Sequence, residues 1–199
     1  RQLVTPLPVA LKATANRDRD YAARIKKIAS VSPDLSQPFV YFPLHLQPEM
    51  TTSALGGVYV DQLLAVERLS TVLPESLYIY VKENPKQTSF MRDELFFARL
   101  AALRNVVLID ASFPTVELLQ RCAFVATITG TAGWEALLGG KNVVIFGLAW
   151  YRTLPGVYEF HYDLDLDAVL HARFTLEELN QALIELLQKT GKGVTYSGY

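Results

Sequence analysis

The chain has 199 residues, half of them hydrophobic and a fifth of them charged, so it can bury one sizeable core. Lysine and arginine total 19 against 20 acidic residues, and the formal net charge of -1 gives no electrostatic reason to expect nucleic acid as a partner. The single cysteine, Cys122, lies in an apolar run, which predicts a buried thiol in a reducing compartment. With no apolar stretch long enough to span a bilayer and no signal peptide, the sequence predicts a cytoplasmic protein.

Residues 1–36 precede the main pattern of the chain. Residues 1–8 have the composition of a linker, so we expect another domain upstream. Residues 16–30 predict a helix capped at Asn16, with an apolar stripe among arginines and lysines. We therefore predict an interdomain linker and connector helix in residues 1–36, outside the main sheet, and one main domain in residues 37–199.

The main domain alternates short apolar strands with helical stretches, a pattern typical of βαβ units. β-Branched and aromatic residues predict strands at residues 39–44, 78–82, 106–109, 124–129 and 143–146. Amphipathic stretches predict helices at residues 58–73, 89–103, 115–122, 132–138 and 175–189, the last with a capping box of Thr175 and Glu178. The predicted fold class is α/β, a Rossmann-like parallel sheet of about five strands flanked by helices.

The segments that follow the predicted strands are long and polar, whereas those that follow the helices are short. In an open parallel sheet, ligands bind beyond the carboxyl ends of the strands, near the point where the strand order reverses. We therefore expect the binding residues to gather at that edge.

The most informative of these segments is the small-residue turn that leads into the helix at residues 132–138. Gly130 and Gly133 would let a ligand approach the backbone, and the amides and dipole of the helix start favour a phosphate. Thr129 and Thr131 could donate from their hydroxyls, and Glu135, in the first helical turn, could accept hydrogen bonds from ribose. The alternative is an ordinary strand-to-helix turn with Thr131 as N-cap and Glu135 favoured only by the dipole.

Two better-known glycine motifs are excluded. A P-loop needs glycine, lysine and a hydroxyl residue before a helix, but Gly140 and Lys141 follow one and Asn142 comes next. A dinucleotide fingerprint needs a third glycine and a later acidic residue, and neither is found. ATPase and NAD-binding functions are therefore not predicted.

Two further loops carry candidate ligand contacts. After the second strand, Lys82 or Lys86 could meet a phosphate and Asn84 could bond a donor, although solvated lysines around a proline turn are the competing interpretation. The long loop after the first strand is polar, and such loops are usually functional or disordered. Its candidates are Gln47, Glu49, Thr51, Thr52 and Ser53.

Metal binding is not favoured at any of these segments. His45 and Glu49 could share an ion, but they lack a third ligand, so a hydrogen-bonded loop histidine is the preferred interpretation. Residues 161–167 invite a calcium loop, yet Ala168 and Phe174 replace its glycine and its last ligand. The alternation of aspartate with leucine there predicts an extended segment with one apolar face.

Four segments, taken in order, resemble the capsule polysaccharide biosynthesis proteins, a family that includes Kdo transferases and has GT-B architecture. They are YFPLHLQPE at residues 41–49, KENP at 82–85, GTAGWEAL at 130–137 and GLAWY at 147–151. The resemblance implies that the main domain is the carboxyl-terminal half of a GT-B glycosyltransferase, which holds the donor nucleotide-sugar.

The resemblance also implies roles for individual residues. Thr129, Thr131 and Gly133 would hold the donor phosphate, and Glu135 would hold the nucleotide sugar hydroxyls. The full set of implied donor-binding residues is Thr129, Gly130, Thr131, Ala132, Gly133, Glu135, Lys82, Glu83, Asn84, Gln47, Glu49, Thr51, Thr52 and Ser53. Related enzymes often carry His-Pro where this chain has Asn84-Pro85, so a neutral amide replaces the histidine. The resemblance therefore does not specify which nucleotide carries the donor sugar, and a CMP-linked sugar such as CMP-Kdo is one option.

The family further implies catalysis without a metal or cofactor, by a base on an amino-terminal domain that would also bind the glycan or glycolipid acceptor. The enzyme could then act peripherally at the inner membrane. Two competing functions are an epimerase or polyol-phosphate transferase of the same architecture, and a non-catalytic interaction module.

Overall fold

The computed structural model describes residues 7–190 of the chain, in which strands and helices alternate. The strands are β1 (Phe39–Pro43), β2 (Tyr78–Lys82), β3 (Val106–Ile109), β4 (Val125–Thr127), β5 (Val143–Ile145) and β6 (Val157–Glu159). The helices are α1 (Leu7–Ile28), α2 (Met50–Leu55), α3 (Gln62–Val72), α4 (Glu94–Ala101), α5 (Thr115–Arg121), α6 (Thr131–Leu138), α7 (Leu166–His171) and α8 (Leu176–Lys189). A short 3₁₀ helix, Gly57–Val60, precedes α3.

All six strands form one parallel sheet in the order β3-β2-β1-β4-β5-β6, which confirms the predicted α/β, Rossmann-like fold. The sixth strand was not predicted, because β6 has only three residues and none of them is fully buried. The strand order reverses between β1 and β4. The carboxyl ends of these two strands therefore form the place where such a sheet binds ligands.

Alternate side chains of each strand enter two separate cores on the two faces of the sheet. In β1, Val40 and Phe42 enter one core, and Phe39 and Tyr41 enter the other. Side chains of α3 and α4 cover the first core, and those of α5, α6 and α8 cover the second. The loops that leave the carboxyl ends of the strands thus emerge between two layers of helices.

Helix α1 begins at Leu7, whereas the sequence predicted a start at Asn16. The residues before Asn16 are mostly alanine, leucine and lysine, which favour a helix, so the helix has no boundary there. The helix lies beside α4, where the rings of Tyr21 and Phe97 have centroids 6.1 Å apart. Its role as an interdomain connector stays a prediction, and residues 1–6 of the predicted linker lie outside the described residues.

Two segments that were not predicted as helices are helical. Residues 50–55 were expected to be loop but form α2. Residues 161–167 were expected to be extended, but the Asp165 carboxylate accepts a hydrogen bond from the Ala168 amide at 3.0 Å and α7 begins at Leu166. Polar residues can favour either a loop or a helix cap, and at α7 the cap prevails, whereas α2 begins without a side-chain cap.

Where the sequence contains a clear capping residue, the helix begins directly after it. The Asp93 carboxylate accepts from the Phe96 amide at 2.9 Å, so α4 begins at Glu94 rather than at residue 89. The predicted capping box of Thr175 and Glu178 is confirmed at α8. Capping chemistry therefore defines boundaries that apolar periodicity leaves open.

Candidate functional site

The loop after β1 and the turn after β4 meet at the point where the strand order reverses. Tyr41 in β1 is paired with Val125 in β4, so the two strands end side by side. Beyond these ends, the His45 imidazole Nε2 lies 2.9 Å from the Thr127 hydroxyl. The polar edge that the sequence predicted therefore exists, and its centre is the turn that leads into α6.

This turn presents unoccupied hydrogen-bond donors. Gly130 is the N-cap of α6 and no side chain caps the helix, so the amides of Thr131 and Ala132 at its start have no hydrogen-bond acceptor among residues 7–190. Thr131 is the first helical residue and is exposed, so it is not the N-cap. The Thr129 hydroxyl is buried and has no hydrogen-bond partner among the described residues. Buried hydroxyls are normally paired, so the turn has the donors that an anionic ligand requires.

Glu135 does not lie where the sequence placed it. Because α6 begins at Thr131, Glu135 is in the second helical turn and not in the first, where a helix dipole acts most strongly. Its side chain is exposed, on the helix that follows the turn. A simple dipole explanation for this glutamate is therefore weakened.

Gly133 owes its lack of a side chain to a protein contact. It is buried, and a Cβ atom there would overlap the hydroxyl of Tyr151. That hydroxyl donates a hydrogen bond to the Gly130 carbonyl at 2.6 Å. Burial raises the pKa of Tyr151, so its hydroxyl stays protonated and can donate. Tyr151 therefore supports the turn through this hydrogen bond. Contact with Tyr151, rather than the expected close approach of a ligand, explains why position 133 is glycine.

His45 is a buried, doubly hydrogen-bonded histidine. Its Nδ1 lies 2.7 Å from the Thr52 hydroxyl and its Nε2 lies 2.9 Å from the Thr127 hydroxyl. Burial lowers the pKa of His45, against a smaller opposing effect of Glu49, so the imidazole is neutral near pH 7. Among residues 7–190 no group of three or more histidine, cysteine or acidic residues could hold a metal.

The other candidates in the first loop divide into buried and exposed residues. Gln47 is buried, donates to the Val60 carbonyl at 2.6 Å and accepts from Arg92 at 2.6 Å. The Thr52 hydroxyl is also hydrogen-bonded within the protein, to Nδ1 of His45. Glu49, Thr51 and Ser53 are exposed at the start of α2 and remain accessible to a ligand.

The candidates after β2 also form protein contacts. The Lys82 ammonium donates to the Phe113 carbonyl and to the Thr115 hydroxyl, both at 2.7 Å, and burial lowers its pKa. The Asn84 side chain accepts from the Lys86 amide at 2.9 Å and closes a turn. These two side chains hold the loops together and are not aimed at a ligand.

Glu83 belongs to a buried ion pair. Its carboxylate lies 2.7 Å from Arg92, and both side chains are almost fully buried. Arg92 also bonds Gln47, so it joins the loops after β1 and β2. Arg92 was not predicted, because an arginine within a predicted helix is indistinguishable in sequence from a solvated surface residue. Tyr151 was not predicted as a support because nothing in the sequence shows what a tyrosine contacts.

The chain matches the family model of capsule polysaccharide biosynthesis proteins over residues 9–192. None of the helices in the described part of the chain has the length and apolar character needed to cross a membrane. A search of the curated proteins found no match.

The chain is also similar to solved structures. It is 21% identical to Thermosulfurimonas dismutans KpsC, beta Kdo 2,4 transferase, with a TM-score of 0.50, covering 80% of this chain and 53% of that chain. It is 14% identical to the beta Kdo 2,7 transferase of the same KpsC, with a TM-score of 0.50, covering 83% of this chain and 51% of that chain. Similarity at these identities establishes the fold alone.

A third similar structure is the UDP-GlcNAc 2-epimerase of Methanocaldococcus jannaschii in complex with UDP-GlcNAc and UDP, 9% identical with a TM-score of 0.49, covering 89% of this chain and 52% of that chain. The chain spans about half the length of these solved structures. The family model, in contrast, covers almost the whole chain. The chain belongs to the capsule polysaccharide biosynthesis protein family.

Proposed function

We propose that this chain is the donor-binding half of a glycosyltransferase that builds capsular or other surface polysaccharide. The observation that carries the proposal is the turn at the strand-order reversal, where the buried Thr129 hydroxyl and the uncapped amides of α6 have no acceptor in the part of the chain that the structure describes. A nucleotide-sugar phosphate supplies several acceptor oxygens and a negative charge, which such a helix start favours. Family membership supports a role in capsule polysaccharide synthesis.

The proposed mechanism uses the turn to stabilise the leaving group. When the sugar is transferred, negative charge builds on the departing phosphate, and fixed amide and hydroxyl donors lower the energy of that charge. Glu135, exposed on α6, would accept hydrogen bonds from the ribose hydroxyls. The acceptor hydroxyl would be activated by a base on an amino-terminal domain, which would also bind the glycan or glycolipid acceptor, at the inner membrane if the acceptor is a lipid.

The contacts of the described residues narrow the proposed donor site. Five of the predicted contacts form hydrogen bonds or an ion pair with other protein groups and so position the loops. They are Gln47, Thr52, Lys82, Glu83 and Asn84. The proposed ligand contacts are therefore Thr129, Gly130, Thr131, Ala132 and Glu135, together with the exposed Glu49, Thr51 and Ser53. None of these proposed ligand contacts is a lysine or an arginine, so binding of the phosphate would depend on amides and hydroxyls.

A thermal-shift screen of this chain tests the proposal. CMP, UDP, GDP and CDP, each with and without a sugar, are compared at equal concentrations. A ligand present at about 100 times its Kd raises the free energy of unfolding by about 2.7 kcal/mol, which is a readily measured shift of Tm. We expect one nucleotide to raise Tm more than the others. A flat response to all of them, repeated with the full-length protein, would favour the interaction-module alternative.

Product analysis separates the enzymatic alternatives. With the full-length protein and the best donor, a glycosyltransferase releases nucleotide and elongates an acceptor glycan. An epimerase instead returns an altered sugar without needing an acceptor, and a polyol-phosphate transferase moves a phosphate together with the polyol. We expect acceptor-dependent release of nucleotide.

A further inference from the structure

A cavity of about 420 Å³ lies beside the proposed phosphate-binding turn. Three parts of the chain form its walls, and each lies at the carboxyl edge of the sheet. These are residues 54–59 around the end of α2, residues 145–148 at the end of β5, and residues 159–161 at the end of β6. We call this cavity the β5–β6 cleft. Its volume is within the range of about 300 to 1,000 Å³ that is typical of small-ligand sites.

Gly147 lines the β5–β6 cleft and also lies next to the turn. The Gly147 amide donates to the Ile128 carbonyl at 3.0 Å, and the next amide, of Leu148, donates to the Leu55 carbonyl at 2.9 Å. A Cβ atom on Gly147 would lie 2.9 Å from the Thr129 methyl group and 2.6 Å from the Leu55 carbonyl oxygen. Gly147 thus lies between the turn and one wall of the cleft.

The turn has Glu135 on one side and the cleft on the other. Glu135 belongs to α6, which packs on one face of the sheet, whereas Phe146 and Tyr59 of the cleft pack with the core on the opposite face. A nucleotide-sugar is linear, with ribose, phosphate and sugar in that order. A phosphate at Thr129 with ribose at Glu135 therefore directs the sugar towards the β5–β6 cleft.

We infer that the β5–β6 cleft holds the transferred sugar and selects a neutral, hydroxyl-rich ring over a carboxylated one. This inference rests on the proposed donor site. The only charged side chain in the wall is Glu159, which is exposed and has no ion-pair partner among the described residues. A carboxylate accepts hydrogen bonds from hydroxyl groups and repels a second carboxylate. His161, two residues further on, adds an exposed imidazole at the same wall.

One arginine lies close to the cleft but is engaged elsewhere. Arg68 donates to the Tyr59 hydroxyl at 2.8 Å, and its guanidinium lies 5.2 Å from the Tyr59 ring centroid and 5.7 Å from that of Tyr162. Arg68 is not among the residues that line the cleft. The wall itself therefore offers an acceptor for hydroxyls and no guanidinium or ammonium for a sugar carboxylate.

Calorimetric titration with matched donors tests this inference. Each set of ligands shares one nucleotide. The first set is UDP, UDP-glucose and UDP-glucuronate, in which the two sugars differ only in a carboxylate, and the second is GDP, GDP-mannose and GDP-mannuronate. In addition, CMP is compared with CMP-Kdo. We expect the neutral sugar to tighten binding over the bare nucleotide. We expect the carboxylated sugar to bind roughly threefold more weakly than the neutral one, as suits partly exposed like charges.

Two variants assign the effect to the cleft. Glu159→Gln should abolish the discrimination between the neutral and the carboxylated sugar, and Ala54→Trp should fill the cleft and remove the gain from the sugar. Neither variant should weaken binding of the bare nucleotide. Glu185→Gln, on the exposed surface of α8, is the matched control and should change nothing.

The outcomes separate this inference from the proposed function. The nucleotide could bind equally well with and without its sugar, and Ala54→Trp could leave both affinities unchanged. That result would contradict sugar binding in the cleft but not nucleotide binding at the donor site. Tighter binding of UDP-glucuronate, GDP-mannuronate or CMP-Kdo than of the neutral or bare form would overturn the charge selection. If no nucleotide binds at all, the proposed function fails and the inference fails with it.

Discussion

The His45 imidazole Nε2 lies 2.9 Å from the Thr127 hydroxyl, and this contact joins the loop after β1 to the end of β4. On its other side, Nδ1 lies 2.7 Å from the hydroxyl of Thr52 in α2. The Thr127 hydroxyl also accepts from the Gly130 amide at 3.3 Å. A neutral imidazole has one donor and one acceptor, so these contacts join α2, the loop after β1 and the turn before α6.

Acidification should therefore destabilise the protein through His45. Burial lowers the pKa of His45 in the folded state, so the unfolded chain binds its proton first as the pH falls. The free energy of unfolding should fall as the pH drops below about 6.5, the ordinary pKa of histidine, and level off below the folded-state pKa. Urea unfolding between pH 7.5 and about 5 measures this slope.

His45→Gln is the control for that titration, since glutamine keeps hydrogen-bonding groups but does not titrate near neutral pH. We expect a shallower dependence of the free energy of unfolding on pH than in the unmodified protein. His161 and His171 are exposed and remain in both proteins. Identical slopes in the two proteins would show that His45 does not carry the effect.

Gly133→Ala should lower stability because its Cβ would overlap Tyr151. Overpacking of a core position typically costs about 1 to 3 kcal/mol. Tyr151→Phe removes the overlapping hydroxyl, although it also loses the hydrogen bond to the Gly130 carbonyl. We expect the double variant to be more stable than the sum of the two single effects predicts, as measured in a double-mutant cycle by urea unfolding. Strict additivity would show that the two residues are not in contact.

Arg92→Met should destabilise the protein strongly because it leaves Glu83 buried without its partner. Breaking a buried ion pair by removing one member costs roughly 3 to 5 kcal/mol. Arg99→Met is the matched control, because Arg99 pairs with Glu67 at 2.7 Å in a more exposed setting, where the cost should be about 1 kcal/mol or less. Comparable losses of unfolding free energy in the two variants would contradict the structural role assigned to Arg92.

The fold was predictable from the sequence where apolar runs are long and uninterrupted. Strands β2 and β3 have the predicted bounds, because both consist almost entirely of branched and aromatic residues, with Lys82 as the last residue of β2. Strand β6 and helices α2 and α7 were missed, since each has six residues or fewer and most of their side chains are not fully buried. Short elements of that kind are fixed by tertiary contacts and caps, which periodicity does not reveal.

The location of the site was predictable, but the partners of its side chains were not. Polar residues after β1, β2 and β4 do meet at one edge of the sheet, as parallel strands require. Lys82 and Gln47, however, point into the protein and satisfy backbone carbonyls. A sequence gives the chemistry of a polar side chain and leaves open whether its partner is a ligand or a neighbouring loop.

Thr129→Val and Glu135→Gln test the central claim that the turn before α6 binds the donor. Valine matches threonine in shape and removes the unpaired hydroxyl, and glutamine removes the charge that would accept from ribose. Thr71→Val, on the exposed surface of α3, is the control. Each variant must first show an unfolding midpoint close to that of the unmodified chain.

Calorimetric titration of these folded variants with the nucleotide that gave the largest thermal shift measures the claim directly. Loss of a hydrogen bond to a charged group costs roughly 1.5 to 3 kcal/mol, so we expect the Kd to rise on the order of tenfold or more in Thr129→Val and in Glu135→Gln. The Kd of Thr71→Val should stay unchanged. An unchanged Kd in both turn variants would contradict the account and place the donor site elsewhere.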